Sequence, residues 1–215
     1  MIVSTRDLSA LPDIPTLRRL TRALATLDAL LSPDWEYRYY SFNAHWAPGE
    51  MMASMRTGSG DHWFALFSPV GVALHGLSHE APNFRPGSPW PGIFEALPEE
   101  FQANFLDEPA FDTRNSTFCI WRRDTGDRWW HGPVDLPQGD DPDGSAGLLA
   151  ILRGEPEQYV EFARNYFERQ IAVSDVTTIY RHEPLTQDLI RRLSPSAGLE
   201  SVAKDLHEIG YPESG

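Results

Sequence analysis

The chain holds one cysteine, Cys119, in 215 residues. A single thiol cannot form an internal disulfide, and it excludes any zinc site built from several cysteines. Basic residues are scarce: 18 Lys and Arg stand against 31 Asp and Glu, a formal charge of −13. Nucleic-acid phosphates are held by a basic surface, so this balance argues against a nucleic-acid partner. It argues against docking on anionic lipid for the same reason. No apolar run reaches the ~18 residues of a membrane span. The stretch MIVSTRDLSALPDIP has no basic segment followed by a long apolar core. A soluble, cytoplasmic protein is the expectation. The sequence also lacks a Gly-Lys-Ser/Thr loop and a six-residue Gly-x-Gly-x-x-Gly span, the two common phosphate cradles.

What is present points to a packed fold. Aromatic residues make up 12% of the chain, with seven Trp and eleven Phe, enough to offset the entropy that keeps polar chains disordered. After a loose lead-in over residues 1–12, Asp13 and Pro15 open a helix whose Leu17, Leu20, Leu24, Leu27 and Leu31 repeat at helical spacing. Strands are expected over 35–46, 50–56, 62–67 and 72–77, joined by short Gly- and Pro-bearing links. Met51, Ala53 and Met55 share one face of the second strand. The third is apolar on both faces and therefore central. Gly58 and Gly60 lie between two strands, so they serve a hairpin turn, not a helix-opening anion loop.

Farther on, a helix is expected from about Ile93 through Leu106, with Pro98 as a point where it can be re-entered and Phe94, Leu97, Phe101, Phe105 and Leu106 on one side. Strands follow over 116–121 and at RWWHG. Beyond the acidic loop 138–145 the chain is helical over about 146–153, 156–169, 174–182, 186–193 and 198–209, with Ser174 and Thr186 as N-caps. The expected fold class is α+β: an antiparallel sheet of about six strands, an N-terminal helix, a mid-chain helix and a helical C-terminal third. All 215 residues form one domain, with 146–211 packed on the sheet.

Several constellations invite a chemical reading. His75 and His79 have metal-pair spacing, but on a strand their backbones stand ~13 Å apart. Asp140, Asp141 and Asp143 resemble part of a calcium loop, yet Gly139 and a downstream Leu occupy two required ligand positions. The alternative there is a solvated turn whose Asp143 or Ser145 caps the next helix. Ser59, Asp61 and His62 suggest a Ser/His/Asp set, but strand neighbours point to opposite faces. Cys119, between Phe118 and Ile120, reads as a buried core residue. No catalytic residue, metal or cofactor is assigned. The partner-binding candidates are Trp90, Trp129, Trp130, His131, Asp140, Asp141 and Asp143: aromatic anchors beside acidic loops. One of Trp129 and Trp130 must face the core and the other outward.

The segments WEYRYYSFNAHW, MASMRTGSGD, ALPEEFQANFLDEPAF, TFCIWRR and GDDPDGS are similar to segments of uncharacterised bacterial proteins, over roughly residues 14–211. That resemblance carries no activity. The acidic charge, early helix, strand meander and Leu-Pro-Glu-Glu-Phe at 97–101 also resemble SUKH-type immunity proteins, small intracellular α+β proteins that bind and neutralise toxins. The acidic charge, the aromatic candidates and the lack of a catalytic constellation favour a protein-binding module, with an immunity-type inhibitor of a basic toxin as its specific form; edge strands and leftover aromatic surface would let it act as monomer or homodimer. The alternative is a hydrolase or metal-dependent enzyme using His and Asp residues in a pocket on the sheet.

Overall fold

The structure is a computed structural model and describes residues 2–195 and 198–212. Residues 1, 196, 197 and 213–215 of the expected single domain lie outside the described residues. The architecture is α+β. Six strands, β1 (Tyr40–Ala47), β2 (Glu50–Arg56), β3 (His62–Ser68), β4 (Gly71–Leu77), β5 (Phe118–Arg123) and β6 (Trp130–His131), form one antiparallel sheet in sequential order. Gly58 and Gly60 take φ of +75° and +121°, the left-handed backbone that lets the 57–61 loop reverse between β2 and β3. Among the described residues, no helix is long and apolar enough to cross a membrane.

Strand alternation splits the buried side chains between two layers. One face of the sheet offers Phe42, Ala53, Met55, Trp63, Ala65, Phe67, Leu74 and Ile120 to helices α1 (Ile14–Leu31), α3 (Pro156–Tyr166), α4 (Val173–Tyr180), α5 (Gln187–Leu193) and α6 (Leu199–Ile209). The other face offers Met52, Phe64, Leu66, Ala73, Cys119 and Trp121 to a mid-chain layer built on Ile93, Leu97, Phe101, Phe105 and Phe111. A short helix, α2 (Ser145–Leu149), follows the acidic loop.

The Asp13 carboxylate caps α1 by accepting from the Thr16 amide at 2.9 Å. The leucine stripe marks one buried face, but from Ala23 to Leu30 every residue of α1 is buried. This half of the helix lies between β1 and the outer helices, so it has no solvent side. Asp28 is caught there, fully buried. It accepts from the Tyr159 hydroxyl at 2.6 Å and from the Tyr39 and Tyr40 amides at 2.7 and 2.9 Å. Burial nevertheless pushes its carboxyl up to about 7.

The same contacts correct the first strand. Residues 35–39 do not extend it; Trp35–Tyr37 is a 3-10 turn and β1 begins at Tyr40. Asp28 takes the amides of Tyr39 and Tyr40, and Arg38 donates to the Ser32 carbonyl at 2.8 Å and to Asp205 at 3.0 Å. Trp35 and Tyr37 are left exposed.

The mid-chain segment is helical in pieces, not as one α-helix through 93–106. A 3-10 turn at Glu99–Phe101 runs into a π-helical turn at Gln102–Leu106. Pro98 cannot donate into a helix ladder, and Ala96 at φ +67° turns the chain just before it. Ile93, Leu97, Phe101 and Phe105 are buried all the same. β5 starts two residues later than expected, and β6 keeps only two residues. Ser174 lies inside the first turn of α4, whose N-cap is Ala172, whereas Thr186 does cap α5. The lead-in expected to be loose buries Val3 and Leu11 in the helical-layer core.

Candidate functional site

β6 is one of the two edge strands of the sheet, β1 being the other. Its register sets Trp130 opposite Trp121 and His131 opposite Ile120. Trp129 therefore turns into the helical-layer core, where its indole donates to the Pro12 carbonyl at 2.8 Å. Trp130 lies on the other face, past the end of the mid-chain layer, and remains 46% exposed. This is the division that alternation requires of two neighbouring tryptophans.

A groove of about 770 Å³ opens beside β6. One wall is Ala96 and Pro98 from the mid-chain layer; the rest includes Trp121, Arg123, Arg128, Trp129, Trp130 and His131. At its end Gly132 and Gly92 meet backbone to backbone: a Cβ on Gly132 would overlap the Gly92 carbonyl oxygen. The Arg128 guanidinium lies 3.8 Å from the centre of the Trp130 ring. Arg123 grips Glu100 with two bonds of 2.8 and 3.1 Å. His131 Nδ1 donates to the Gly132 carbonyl at 2.7 Å, which leaves Nε2 as the acceptor nitrogen.

His131 also borders a second pocket of about 320 Å³, shared with Thr5, Arg6, Thr117, Cys119 and Asp143. Cysteine, histidine and aspartate are the residue types of a thiol hydrolase. Here each is engaged otherwise. Asp143 is 2% exposed and accepts from the Thr5 hydroxyl, the Ser145 amide and the Ser145 hydroxyl. His131 is oriented by a carbonyl, not by that carboxylate. Burial pushes the Cys119 thiol well above its ordinary range, away from the reactive thiolate.

The partner-binding candidates thus divide. Trp129, Trp130 and His131 meet at the groove, and His131 and Asp143 share the second pocket. Trp90 stands apart: its indole donates to the Asp135 carbonyl at 3.0 Å, and Arg85 stacks on its ring. Asp141 accepts from the Ala146 and Gly147 amides at 3.0 Å each and so caps α2. Asp140 is exposed and offers its carbonyl to Arg6. Trp121, Arg123, Arg128, Ala96 and Pro98 were not singled out in the sequence. The turn at 125–127 carries the one signal that could have found some of them, because a hairpin folded there pairs Trp121 with Trp130.

The histidine constellations are scattered. His79 is exposed and donates to Asp61 at 2.7 Å, which raises its pKa and ties the end of the 57–61 loop to the segment after β4. His75 is sealed between Phe64, His62 and Phe105. The Ser116 hydroxyl donates to the Thr113 carbonyl at 2.7 Å, so His75 Nδ1 is the donor in its 2.8 Å contact with that oxygen. Burial lowers His75 to about 3 and keeps it neutral. Among the described residues no group of three His, Cys, Asp or Glu is placed to hold a metal ion. No family model matches this chain, and no curated protein or solved structure is significantly similar to it.

Proposed function

We propose that this chain is a protein-binding module that engages its partner through the groove beside the edge strand β6. The observation that carries the reading is Trp130: a large apolar ring, 46% exposed, standing in a preformed groove beside two other tryptophans and two arginines. Tryptophan and arginine are the residues most enriched among binding hot spots, and an isolated exposed ring on an ordinary surface would have no such surroundings. The charge of −13 draws a basic protein at long range. An immunity-type inhibitor that covers a basic toxin is the specific form of this reading, supported by the charge and by the α+β architecture.

A photo-cross-linking residue placed at 130, compared with one at the exposed Val173 of α4, outside the groove lining, tests the proposal in extract of the source cells. A discrete adduct from position 130 alone is expected. Equal adducts from both positions, or none, would remove its basis. The enzymatic alternative has one observation in its favour, the common pocket of Cys119, His131 and Asp143. It requires ester or amide hydrolysis by the purified chain that disappears in Cys119→Ala.

A further inference from the structure

The groove presents an uncompensated cation in an acidic molecule. In a chain with 31 acidic residues, its lining includes Arg123 and Arg128 and, among the described residues, no carboxylate. The nearest acids have other places. Glu100 is committed to Arg123, and Asp124 and Asp127 are exposed in the adjoining turn without entering the lining. Arg128 makes no ion pair among the described residues. Stacked on Trp130, it keeps the N–H groups at the edge of its planar guanidinium free to donate. Such an edge selects carboxylates, which it meets with two parallel bonds.

Resting on the protein-binding reading above, we propose that the groove takes a short extended acidic segment of the partner, with an apolar side chain on Trp130 and a carboxylate on Arg128. A volume of about 770 Å³ suits a few residues and not a whole protein face. The site also flanks a two-residue edge strand, along which an extended chain is the natural ligand. This contact chemistry and the overall charge work at different ranges. The field of −13 steers a basic protein from beyond contact, while the groove reads the segment once the surfaces touch. Single-stranded nucleic acid is also held by arginine and tryptophan, but its regularly charged backbone needs a basic track, and of the two lining arginines Arg123 is already paired with Glu100.

Fluorescence polarisation of the whole chain at low salt decides the matter with three probes: a short labelled peptide alternating Glu with Leu or Phe, its Lys counterpart, and a labelled oligothymidylate. The Glu peptide is expected to bind best. Arg128→Glu should weaken it about 10-fold, and Trp130→Ala about 30-fold. Both side chains are exposed, so circular dichroism should show both variants folded. Equal or tighter binding of the Lys peptide or the oligonucleotide overturns the proposal. So does failure of the Glu peptide to bind, or an unchanged affinity in Trp130→Ala. If cross-linking from position 130 captures a protein while the Glu peptide fails, the binding module stands and the acidic segment falls.

Discussion

Two buried groups, Asp28 and His75, should cancel one another in the pH dependence of stability, and separating them is a direct test of the core electrostatics. Asp28 titrates at 3.8 in an unfolded chain and at about 7 when folded. Between those values the native state holds a proton that the unfolded state has lost, so Asp28 makes the protein less stable as pH rises. Its contribution is complete below 3.8 and gone above about 7, a loss of about 4 kcal/mol at 1.36 kcal/mol per pH unit. His75 runs the other way. It titrates at 6.5 unfolded and about 3 folded, so the unfolded state binds the extra proton. Its contribution is present above 6.5 and is lost as pH falls toward 3, about 5 kcal/mol in all.

The two windows overlap from about pH 4 to 6.5, where the opposing slopes are each about 1.4 kcal/mol per pH unit. Asp28→Asn keeps an oxygen for the Tyr39 and Tyr40 amides, turns its NH2 to the Tyr159 oxygen, and cannot ionise. His75→Asn keeps a donor for the Ser116 hydroxyl and cannot charge. Urea unfolding of each variant and of the parent, every half pH unit from 4 to 7.5, isolates each slope as a difference, and any constant offset from altered packing drops out. Relative to the parent, Asp28→Asn should gain stability by about 1.4 kcal/mol per pH unit as pH rises, and His75→Asn should gain it by the same amount as pH falls. A pH-independent difference for Asp28→Asn would refute the reasoning: the three donors would then outweigh desolvation and hold the carboxylate ionised.

Other perturbations separate structural from binding roles. Trp129→Ala should cost about 3–5 kcal/mol, because it empties a core site and strands the Pro12 carbonyl, whereas Trp130→Ala should stay within about 0.5 kcal/mol of the parent; chemical denaturation measures both. Gly132→Ala should lose about 2 kcal/mol or more from overlap with the Gly92 carbonyl, with a matching drop in melting temperature. Iodoacetamide at pH 7.5 should modify Cys119 only after urea unfolds the chain, as mass spectrometry would show; rapid labelling of the folded protein would contradict its burial. Asp141→Ala should cost about 1 kcal/mol as a lost helix cap, and millimolar Ca²⁺ should leave the parent's thermal unfolding unchanged.

The parts of the fold that were legible in the sequence are those decided within a few residues. β2 and β3 are short apolar runs of strand length, and Gly58 and Gly60 supply the turn between them, so their hairpin needs no distant information. Asp13 and Thr186 cap their helices through amides three residues away. Misreadings arose where long-range contacts overrule local pattern. Trp35, Tyr37 and Tyr39 alternate like a strand, but Asp28 and Asp205, at positions 28 and 205, pull the chain into a turn. The four-residue spacing of Ile93, Leu97, Phe101 and Phe105 correctly marks the buried side, while Pro98 prevents the continuous helix that the spacing suggests.

The candidate site shows the same division. Alternation alone says that one of Trp129 and Trp130 must look outward. What surrounds the outward one depends on hairpin register across β5 and β6 and on where the mid-chain layer stops. Nearness in sequence suggests one acidic rim from Asp135 to Asp143, but folding disperses it. Asp143 turns inward to Thr5 and Ser145, and Asp141 is spent on the amides that open α2. The same folding gathers Arg123 and Arg128, which sit among acids in the sequence, onto a groove without a carboxylate. Net charge therefore describes what the molecule attracts from a distance, and only the fold decides which charge it presents on contact. A Glu placed at 128 alters the first by 2 parts in 13 and reverses the second at that position, so its effect on binding distinguishes steering from recognition.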